Sequence, residues 1–343
     1  MRKLVVDLHS RSKAFWLPDN AAAQLVANVP DGWRMHVVES ETNSFGDGAQ
    51  QPSEESLREI ADAEVYFGYG MPRSLFAAAR QLKWMHTATA GVASLLFDEM
   101  VASEVILSNS AGVYGPSIAE HVLGGTIHFL RAFDLAGQLQ RRGEWNSSIF
   151  DSPSARIREL SECRALVVGA RGIGVEVATR FTALGVEVVG VRRAPEKGVP
   201  PGFSRIVGLD AIDEELSRAD IVVLAAPLTS DTRMVLNASR IATLKEGAIV
   251  CNVSRGALLD EVALAGALAS GRVRGAVLDV FLHEPLAADS PLWHLPNVLH
   301  TPHVSGVSPR KFWERLVELF LDNWSHYRAG APMRNVVDRH AGY

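Results

Sequence analysis

A cluster of glycines after an apolar run is the first segment of this chain whose residue types and spacing suggest ligand binding. In residues 165–178, the run ALVV leads into Gly169, Gly172 and Gly174, and a helical pattern follows at once. Backbone N–H groups at the start of such a helix bind the pyrophosphate of a dinucleotide. Arg171 occupies the second glycine position of the fingerprint G-x-G-x-x-G. A plain strand-to-helix turn therefore stays an alternative for this segment alone.

Two consecutive arginines follow the next apolar run. Arg192 and Arg193 come directly after residues 186–191, and Arg192 lies 23 residues after Gly169. An NAD-binding unit usually carries Asp or Glu near this distance to bind the ribose hydroxyls, whereas this strand ends in basic residues. Guanidinium groups bind the 2′-phosphate of NADP bidentately. The pair therefore favours NADP(H), with NAD(H) possible, and a solvated basic loop is the alternative.

Four further polar segments each follow an apolar run in the middle of the chain, at 224–233, 251–260, 275–286 and 297–306. In an open parallel sheet, strands end at a common edge, and ligands bind outside that edge. We therefore expect the polar residues of these segments to form one site.

The elements that would position these segments are short β-branched runs alternating with helical patterns, which is typical of βαβ units and a parallel sheet. Strands are predicted at 4–8, 35–38, 65–67, 84–86, 105–107, 165–168, 186–191, 221–225, 248–252 and 276–280. A long helix is predicted over 117–139. A closing helix after Ser308 places one set of residues on one face: Phe312, Leu316, Phe320, Asn323 and Tyr327.

The turns near residues 112 and 303 predict two domains, and the chain would cross between them twice. Residues 1–112 and 304–343 would form a discontinuous substrate domain, and residues 113–303 would form the dinucleotide-binding domain. At 343 residues the chain is long enough for two cores.

Composition excludes several classes of protein. With 34 basic and 39 acidic residues the formal net charge is −5, which gives no electrostatic reason to expect a nucleic-acid or membrane partner. Two distant cysteines, Cys163 and Cys251, fit a reducing compartment. The apolar run at the start of the chain is too short for a signal sequence. No run approaches the roughly 20 apolar residues of a membrane span. We expect a cytoplasmic protein.

Taken in order, the strand-end segments resemble the D-isomer-specific 2-hydroxyacid dehydrogenase family. Arg255 and Glu284 are 29 residues apart, as in that family, and residues 84–92 and 335–338 extend the resemblance over nearly the whole chain. The resemblance implies an α/β fold: a Rossmann-type doubly wound parallel sheet plus a flavodoxin-like second α/β domain. It also implies a homodimer. No appended regulatory domain is expected.

The resemblance implies a catalytic trio of Arg255, Glu284 and His303. Arg255 would bind the substrate carboxylate and polarise the 2-keto oxygen, which suits a permanently charged planar donor. His303 would protonate that oxygen as hydride reaches C2, and Glu284 would orient His303 and keep it a proton donor. Taken singly, these residues could instead be a salt-bridging arginine, a turn glutamate and a buried histidine.

Further roles are implied by the same resemblance. Asp279 would bind the nicotinamide carboxamide, and the backbone N–H groups of residues 90–92 would bind the substrate carboxylate. The predicted cofactor-binding residues are Gly169, Arg171, Gly172, Ile173, Gly174, Arg192, Arg193, Ala225, Pro227, Ser254 and Asp279. The predicted substrate-binding residues are Ala90, Gly91, Val92 and Tyr114. No metal site is predicted, because the histidines lack metal-ligand spacing.

The leading functional hypothesis is an oxidoreductase of the glyoxylate or hydroxypyruvate reductase kind, which prefers NADP(H) and yields a D-2-hydroxy acid. The alternatives are an NAD-dependent dehydrogenase of a bulkier 2-hydroxy acid and a nucleotide-sensing, corepressor-like binding protein. A short-chain dehydrogenase is excluded, because no Tyr has Lys four residues on. Glu284 also differs from the glutamine of the formate-oxidising relatives. Specificity for the substrate side chain is expected to depend on loops such as residues 43–51.

Overall fold

The chain folds into two units, and the computed structural model describes residues 1–45, 49–339 and 342. One unit comprises Met1–Tyr114 and Val307–Tyr343, and the other comprises Gly115–Gly306. The boundaries expected from the sequence, near 112 and 303, lie a few residues before these. Residues 46–48, within the loop expected to set substrate specificity, lie outside the described residues.

The first unit is built on a five-stranded parallel sheet. Its strands are β1 (Arg2–Asp7), β2 (Trp33–Val37), β5 (Val65–Gly68), β6 (Trp84–Thr87) and β7 (Ile106–Ser108), with a separate hairpin of β3 (Asn43–Phe45) and β4 (Ala49–Gln51). The strand order is β2-β1-β5-β6-β7, which is the flavodoxin-like order. The helices of this unit are α1 (Asp19–Ala27), α2 (Glu54–Glu59), α3 (Arg73–Ala78), α4 (Asp98–Ala102) and α12 (Pro309–Ala329).

The second unit carries a seven-stranded parallel sheet. Its strands are β8 (Arg164–Val168), β9 (Glu187–Val191), β10 (Arg205–Val207), β11 (Ile221–Leu224), β12 (Ala248–Asn252), β13 (Val273–Leu278) and β14 (Val298–His300). The strand order is β10-β9-β8-β11-β12-β13-β14, the Rossmann order with one strand added. The helices are α5 (Gly115–Leu130), α6 (Phe133–Arg142), α7 (Ser148–Asp151), α8 (Ile173–Ala183), α9 (Ile212–Arg218), α10 (Ala238–Thr243) and α11 (Glu261–Ala269). The predicted fold class is confirmed.

The register of the second sheet brings the ends of its strands level. Val168 pairs with Leu224, Leu224 with Asn252, Asn252 with Leu278, and Leu278 with His300. These strands are apolar along their length because helices cover both faces of the sheet, and the residues of β11 and β12 are fully buried. The polar segments that follow the strands therefore emerge side by side at one edge.

The predicted helix over 117–139 is wrong in one respect. Helix α5 ends at Leu130 and α6 begins at Phe133, and between them Ala132 takes the left-handed conformation at φ 56°. Asp134, at the start of α6, accepts hydrogen bonds of 2.7 and 2.8 Å from the buried guanidinium of Arg274. Asp134 and Arg274 are 140 residues apart in sequence, so this contact cannot be recognised from the residues around the break. No glycine or proline at residues 131–133 marks the break either.

A fully buried histidine, His86, lies on β6 in the core of the first unit. Trp84 Nε1–H donates to Ser108 Oγ at 2.8 Å, and the Ser108 hydroxyl lies 2.8 Å from His86 Nδ1. Ser110 Oγ donates to Thr87 O at 2.7 Å and lies 3.2 Å from His86 Nε2. These contacts are satisfied together by a neutral imidazole that carries its hydrogen on Nε2. Burial lowers the pKa of His86 from 6.5 to about 3.

This histidine makes the first unit sensitive to acid. The unfolded chain binds the His86 proton below pH 6.5 and the folded chain only near pH 3, so stability falls as the pH drops through this window. By pH 5 the loss amounts to about 2 kcal/mol. We expect His86→Gln to flatten the fall in urea midpoint between pH 7 and pH 5. An equally steep fall in this variant would contradict the prediction.

Candidate active site

The turn between β8 and α8 brings backbone segments unusually close together. Gly169 has φ 110°, and a Cβ there would lie 2.6 Å from Ala226 N. A Cβ on Gly174 would overlap the carbonyl oxygen of Gly169. These two glycines therefore match the first and third fingerprint positions, which serve the tight turn and the close packing of helix on strand.

The middle of the same turn is open. Gly172, the residue before α8, has φ 43° and nothing within 4 Å of its Cβ position, so its backbone conformation rather than crowding requires glycine. Arg171 is exposed, and its carbonyl accepts the N–H of Gly174 at 2.8 Å. Ile173 is the first residue of α8. The start of an 11-residue helix thus faces an uncrowded loop, as a bound pyrophosphate requires.

The two arginines after β9 have different environments. The half-buried Arg192 donates from its guanidinium to Gly198 O at 2.6 Å and to Pro195 O at 3.4 Å. Arg193 is exposed. Arg192 therefore holds the loop that follows the strand, and Arg193 is the arginine whose side chain reaches solvent at the strand end.

Hydrogen bonds connect the loop after β11 with the end of β8 and with the loop after β12. Ala225 N–H donates to Val168 O at 2.8 Å, which ties this loop to the end of β8. The buried Ser254 donates its hydroxyl hydrogen to Ala226 O. Pro227 O accepts the hydroxyl of Thr232 at 2.6 Å. These contacts hold the loop after β11 next to the glycine turn.

Arg255 lies on the segment after β12 and is partly exposed. Its guanidinium donates to Ser254 O at 2.6 Å, and its carbonyl accepts from the side-chain amide of Asn252 at 3.0 Å. A Cβ on the next residue, Gly256, would overlap the backbone of Phe281. The segment that carries Arg255 therefore packs directly on the segment that leads to Glu284.

The structure brings Glu284 and His303 into contact. His303 Nδ1 lies 2.8 Å from Glu284 Oε2, and Glu284 Oε1 accepts the N–H of Phe281 at 3.0 Å. Because an ionised carboxylate only accepts, Nδ1 carries a hydrogen and Nε2 is the ring nitrogen that can serve a ligand. The side chains are 43% and 37% exposed, so a small molecule can approach the pair.

Asp279, predicted to bind the nicotinamide, is fully buried after β13. Its carboxylate oxygens accept the N–H groups of Val304 and Ser305, each at 2.9 Å. The carbonyl of Asp279 accepts the N–H of His303 at 2.9 Å. In the structure Asp279 thus supports the segment that carries His303, and contact with a nicotinamide stays a prediction.

The predicted substrate-binding residues lie in the first unit, after β6. The carbonyl of Ala90 accepts from the Asn109 amide at 2.8 Å, and the carbonyl of Gly91 accepts from the Thr89 hydroxyl at 2.8 Å. These bonds fix the loop that continues into the buried Val92. Tyr114 donates to Ala88 O at 2.9 Å, and burial raises the pKa of its hydroxyl.

Sequence reasoning missed two residues that shape the site. Asn252 ends β12, and its amide also accepts the N–H of Ser254 at 3.2 Å. Glu261 accepts the N–H of Leu282 at 2.5 Å, and burial, with the nearby charge of Glu284, raises the pKa of Glu261. An amide at a strand end and an acid opening a helix were visible signals, but their partners depend on how the loops pack.

Over residues 1–45 and 49–339 together with 342, no group of three or more His, Cys, Asp or Glu side chains could hold a metal ion. Among the same residues, no helix is long and apolar enough to cross a bilayer.

A glycine turn at the switch point of a doubly wound sheet is typical of a dinucleotide-binding unit, and the pair of His303 and Glu284 lies at the same edge. The family model for the NAD binding domain of D-isomer specific 2-hydroxyacid dehydrogenases matches residues 123–305. The chain belongs to this family.

Individual relatives and solved structures are consistent with this family. The chain is 33% identical over 291 residues to D-3-phosphoglycerate dehydrogenase of Methanocaldococcus jannaschii, covering 83% of this chain and 53% of the relative. The chain thus spans about half the length of that protein. A D-isomer specific 2-hydroxyacid dehydrogenase from Xanthobacter autotrophicus, solved with NADPH and MES, superposes with TM-score 0.80 at 29% identity over 100% of this chain and 99% of that one. The NADPH-dependent glyoxylate/hydroxypyruvate reductase of Sinorhizobium meliloti, solved with NADP and sulfate, superposes with TM-score 0.79 at 25% identity over 100% of both chains.

Proposed function

We propose that this protein reduces a small 2-keto acid, of the glyoxylate or hydroxypyruvate kind, to the D-2-hydroxy acid with NADPH. The observation that carries the proposal is the 2.8 Å contact between His303 and Glu284. It lies at the sheet edge from which the segment carrying Arg255 also emerges. The structure of the reductase from Sinorhizobium meliloti supports the substrate class.

The residues around the glycine turn fit a dinucleotide. The start of α8 and the loop at Arg171 and Gly172 would bind the pyrophosphate, because a Cβ at Gly172 meets nothing within 4 Å. Arg193 would bind a 2′-phosphate, since β9 ends without an acidic residue and the guanidinium of Arg192 is turned to loop carbonyls. When bound, the reduced nicotinamide supplies the hydride that C2 of the keto acid receives.

The chain's own residues supply orientation and the proton. Arg255 binds the substrate carboxylate and polarises the carbonyl oxygen at C2. His303 gives the proton on Nε2 to that oxygen, while its Nδ1–H remains hydrogen-bonded to Glu284. The neutral imidazole that results keeps its hydrogen on Nδ1. Negative charge on Glu284 stabilises the imidazolium before transfer. In the reverse direction His303 removes the hydroxyl proton.

The proposal is tested by the decay of nicotinamide absorbance with glyoxylate, hydroxypyruvate, pyruvate and phenylpyruvate, each with NADPH and with NADH. We expect glyoxylate and hydroxypyruvate to turn over fastest, and NADPH to exceed NADH in kcat/KM by roughly tenfold or more. A preference for NADH would overturn the cofactor assignment. Fastest turnover of phenylpyruvate would indicate that the substrate is a bulkier 2-keto acid. Tight nucleotide binding without turnover would favour a nucleotide-sensing protein.

A pair of arginine variants sharpens the cofactor assignment within this assay. Arg193→Gln should lower kcat/KM for NADPH by about 10–100-fold and leave NADH within about threefold, because charge-assisted bonds to a phosphate contribute about 1.5–3 kcal/mol. Arg171→Gln is the matched variant, since a pyrophosphate contact would be lost equally with both dinucleotides. Equal effects of Arg193→Gln on NADPH and NADH would contradict this division.

We also propose that the protein acts as a cytoplasmic homodimer. Cys163 and Cys251 are both buried free thiols, which suits a reducing compartment. The dimer rests on the family alone.

A further inference from the structure

The segment that carries His303 is held by hydrogen bonds to a single buried residue, Asp279. Val304 N–H donates to Oδ1 and Ser305 N–H to Oδ2 of its carboxylate, each at 2.9 Å. His303 N–H is shared between the main-chain carbonyls of Asp279 at 2.9 Å and Thr301 at 3.0 Å. His303 itself has φ 55°, a left-handed conformation that a residue with a Cβ adopts uncommonly. The hydrogen bonds of residues 303–305 to Asp279 stabilise the segment in which His303 takes this conformation.

A side chain completes the set of donors to this carboxylate. Thr301 Oγ1 lies 2.5 Å from Asp279 Oδ1 and 3.3 Å from His121 Nε2. The carboxylate only accepts, so the single hydroxyl hydrogen of Thr301 is used on Asp279. The bond to His121 must then run the other way, with Nε2–H of His121 donating to Thr301. Helix α5 is thereby connected, through one threonine, to the carboxylate that holds the segment after β14.

We propose that His121 and Thr301 are positioning residues, which form with Asp279 a hydrogen-bonded chain that fixes His303 against Glu284. The proposal rests on the proposed function of His303 as proton donor. The order of the chain follows from donor and acceptor capacity: His121 Nε2–H donates to Thr301, and the Thr301 hydroxyl donates to Asp279. Asp279 in turn accepts from the backbone of residues 303–305. Neither His121 nor Thr301 needs to touch the substrate.

Loss of the threonine hydroxyl should therefore act on the rate rather than on binding. Thr301→Val keeps the shape of the side chain and removes the donor to Asp279. We expect kcat to fall about tenfold, because small displacements of a catalytic group cost up to about 10²-fold. KM for the keto acid should stay within about twofold. His121→Leu should lower kcat in the same direction by a smaller factor, since it removes only the outer donor.

Conservative variants separate positioning from mere structural damage. Thr301→Ser keeps the hydroxyl, and His121→Gln keeps an N–H donor, so both should retain most of the wild-type kcat. If Thr301→Ser is as slow as Thr301→Val, or if Thr301→Val keeps the wild-type kcat, the proposal is overturned.

A measurement that needs no activity accompanies these assays. Amide hydrogen exchange at Val304 and Ser305 reports the bonds to the Asp279 carboxylate directly. We expect exchange to speed up about tenfold in Thr301→Val and to stay slow in Thr301→Ser. Unchanged exchange in Thr301→Val overturns the chain of hydrogen bonds. If the wild type turns over no 2-keto acid, the proposed function fails, and the exchange rates still decide whether Thr301 holds this segment.

Discussion

Replacement of His303 by glutamine is expected to lower kcat by about 10³-fold, because general acid catalysis contributes roughly 10²–10⁴-fold. Glutamine can still donate a hydrogen bond, but it cannot give up a proton at neutral pH. The affinity for NADPH, measured by fluorescence, should stay unchanged, since His303 lies after β14 and the glycine turn lies after β8. The assay is single-turnover reduction of the best 2-keto acid from the substrate screen.

The exposed neighbour of Glu284 provides the control. His283→Gln removes an imidazole next to the pair without touching the 2.8 Å contact, and it should leave kcat within about twofold. The double variant His303→Gln with Glu284→Gln should be no slower than His303→Gln alone, because Glu284 acts through His303. A fully additive loss in the double variant would show that Glu284 has a separate task. Wild-type kcat in His303→Gln would remove the proton donor from the mechanism.

The second large effect is expected from Arg255. Arg255→Leu should lower kcat/KM for the keto acid by about 10³-fold, since loss of one partner from a hydrogen-bonded charge pair costs roughly 2–5 kcal/mol. Arg255→Lys keeps the charge but not the planar fork, so it should recover only part of this loss. Most of the effect should appear in KM if Arg255 mainly binds the carboxylate, and in kcat if it mainly polarises the carbonyl.

Arg233, an exposed arginine after β11, supplies the matched control for the loss of one positive charge. Arg233→Leu should leave kcat/KM within about twofold. A loss of the same size in Arg233→Leu and Arg255→Leu would point to a general electrostatic effect, and the specific role of Arg255 would then be abandoned.

Much of the fold could be predicted from local patterns. Continuous apolar runs mark β8, β9, β11 and β12 because these strands are covered on both faces. The edge strands β10 and β14 escaped prediction, since each has three partly buried residues and no such pattern. The break at Ala132 also escaped, because alanine favours helix and the contact between Asp134 and Arg274 is distant in sequence.

The site was predictable only to the level of strand ends. Glu284 and His303 meet because the neighbouring strands β13 and β14 end level, at Leu278 and His300, so the segments that follow them converge. The sequence can indicate that convergence, but it cannot show which atoms meet. It therefore offered no reason to connect Thr301 with His121, or to expect three backbone N–H groups on Asp279.

The separate environments of Arg192 and Arg193 have an evolutionary consequence. Arg192 is embedded in its loop through the carbonyls of Pro195 and Gly198, so most replacements there disturb the backbone. Position 193 is exposed at the end of β9. If Arg193 selects the 2′-phosphate as proposed, a single substitution at this exposed position can change the preference of the protein from NADP(H) to NAD(H). The loop that Arg192 holds keeps its conformation.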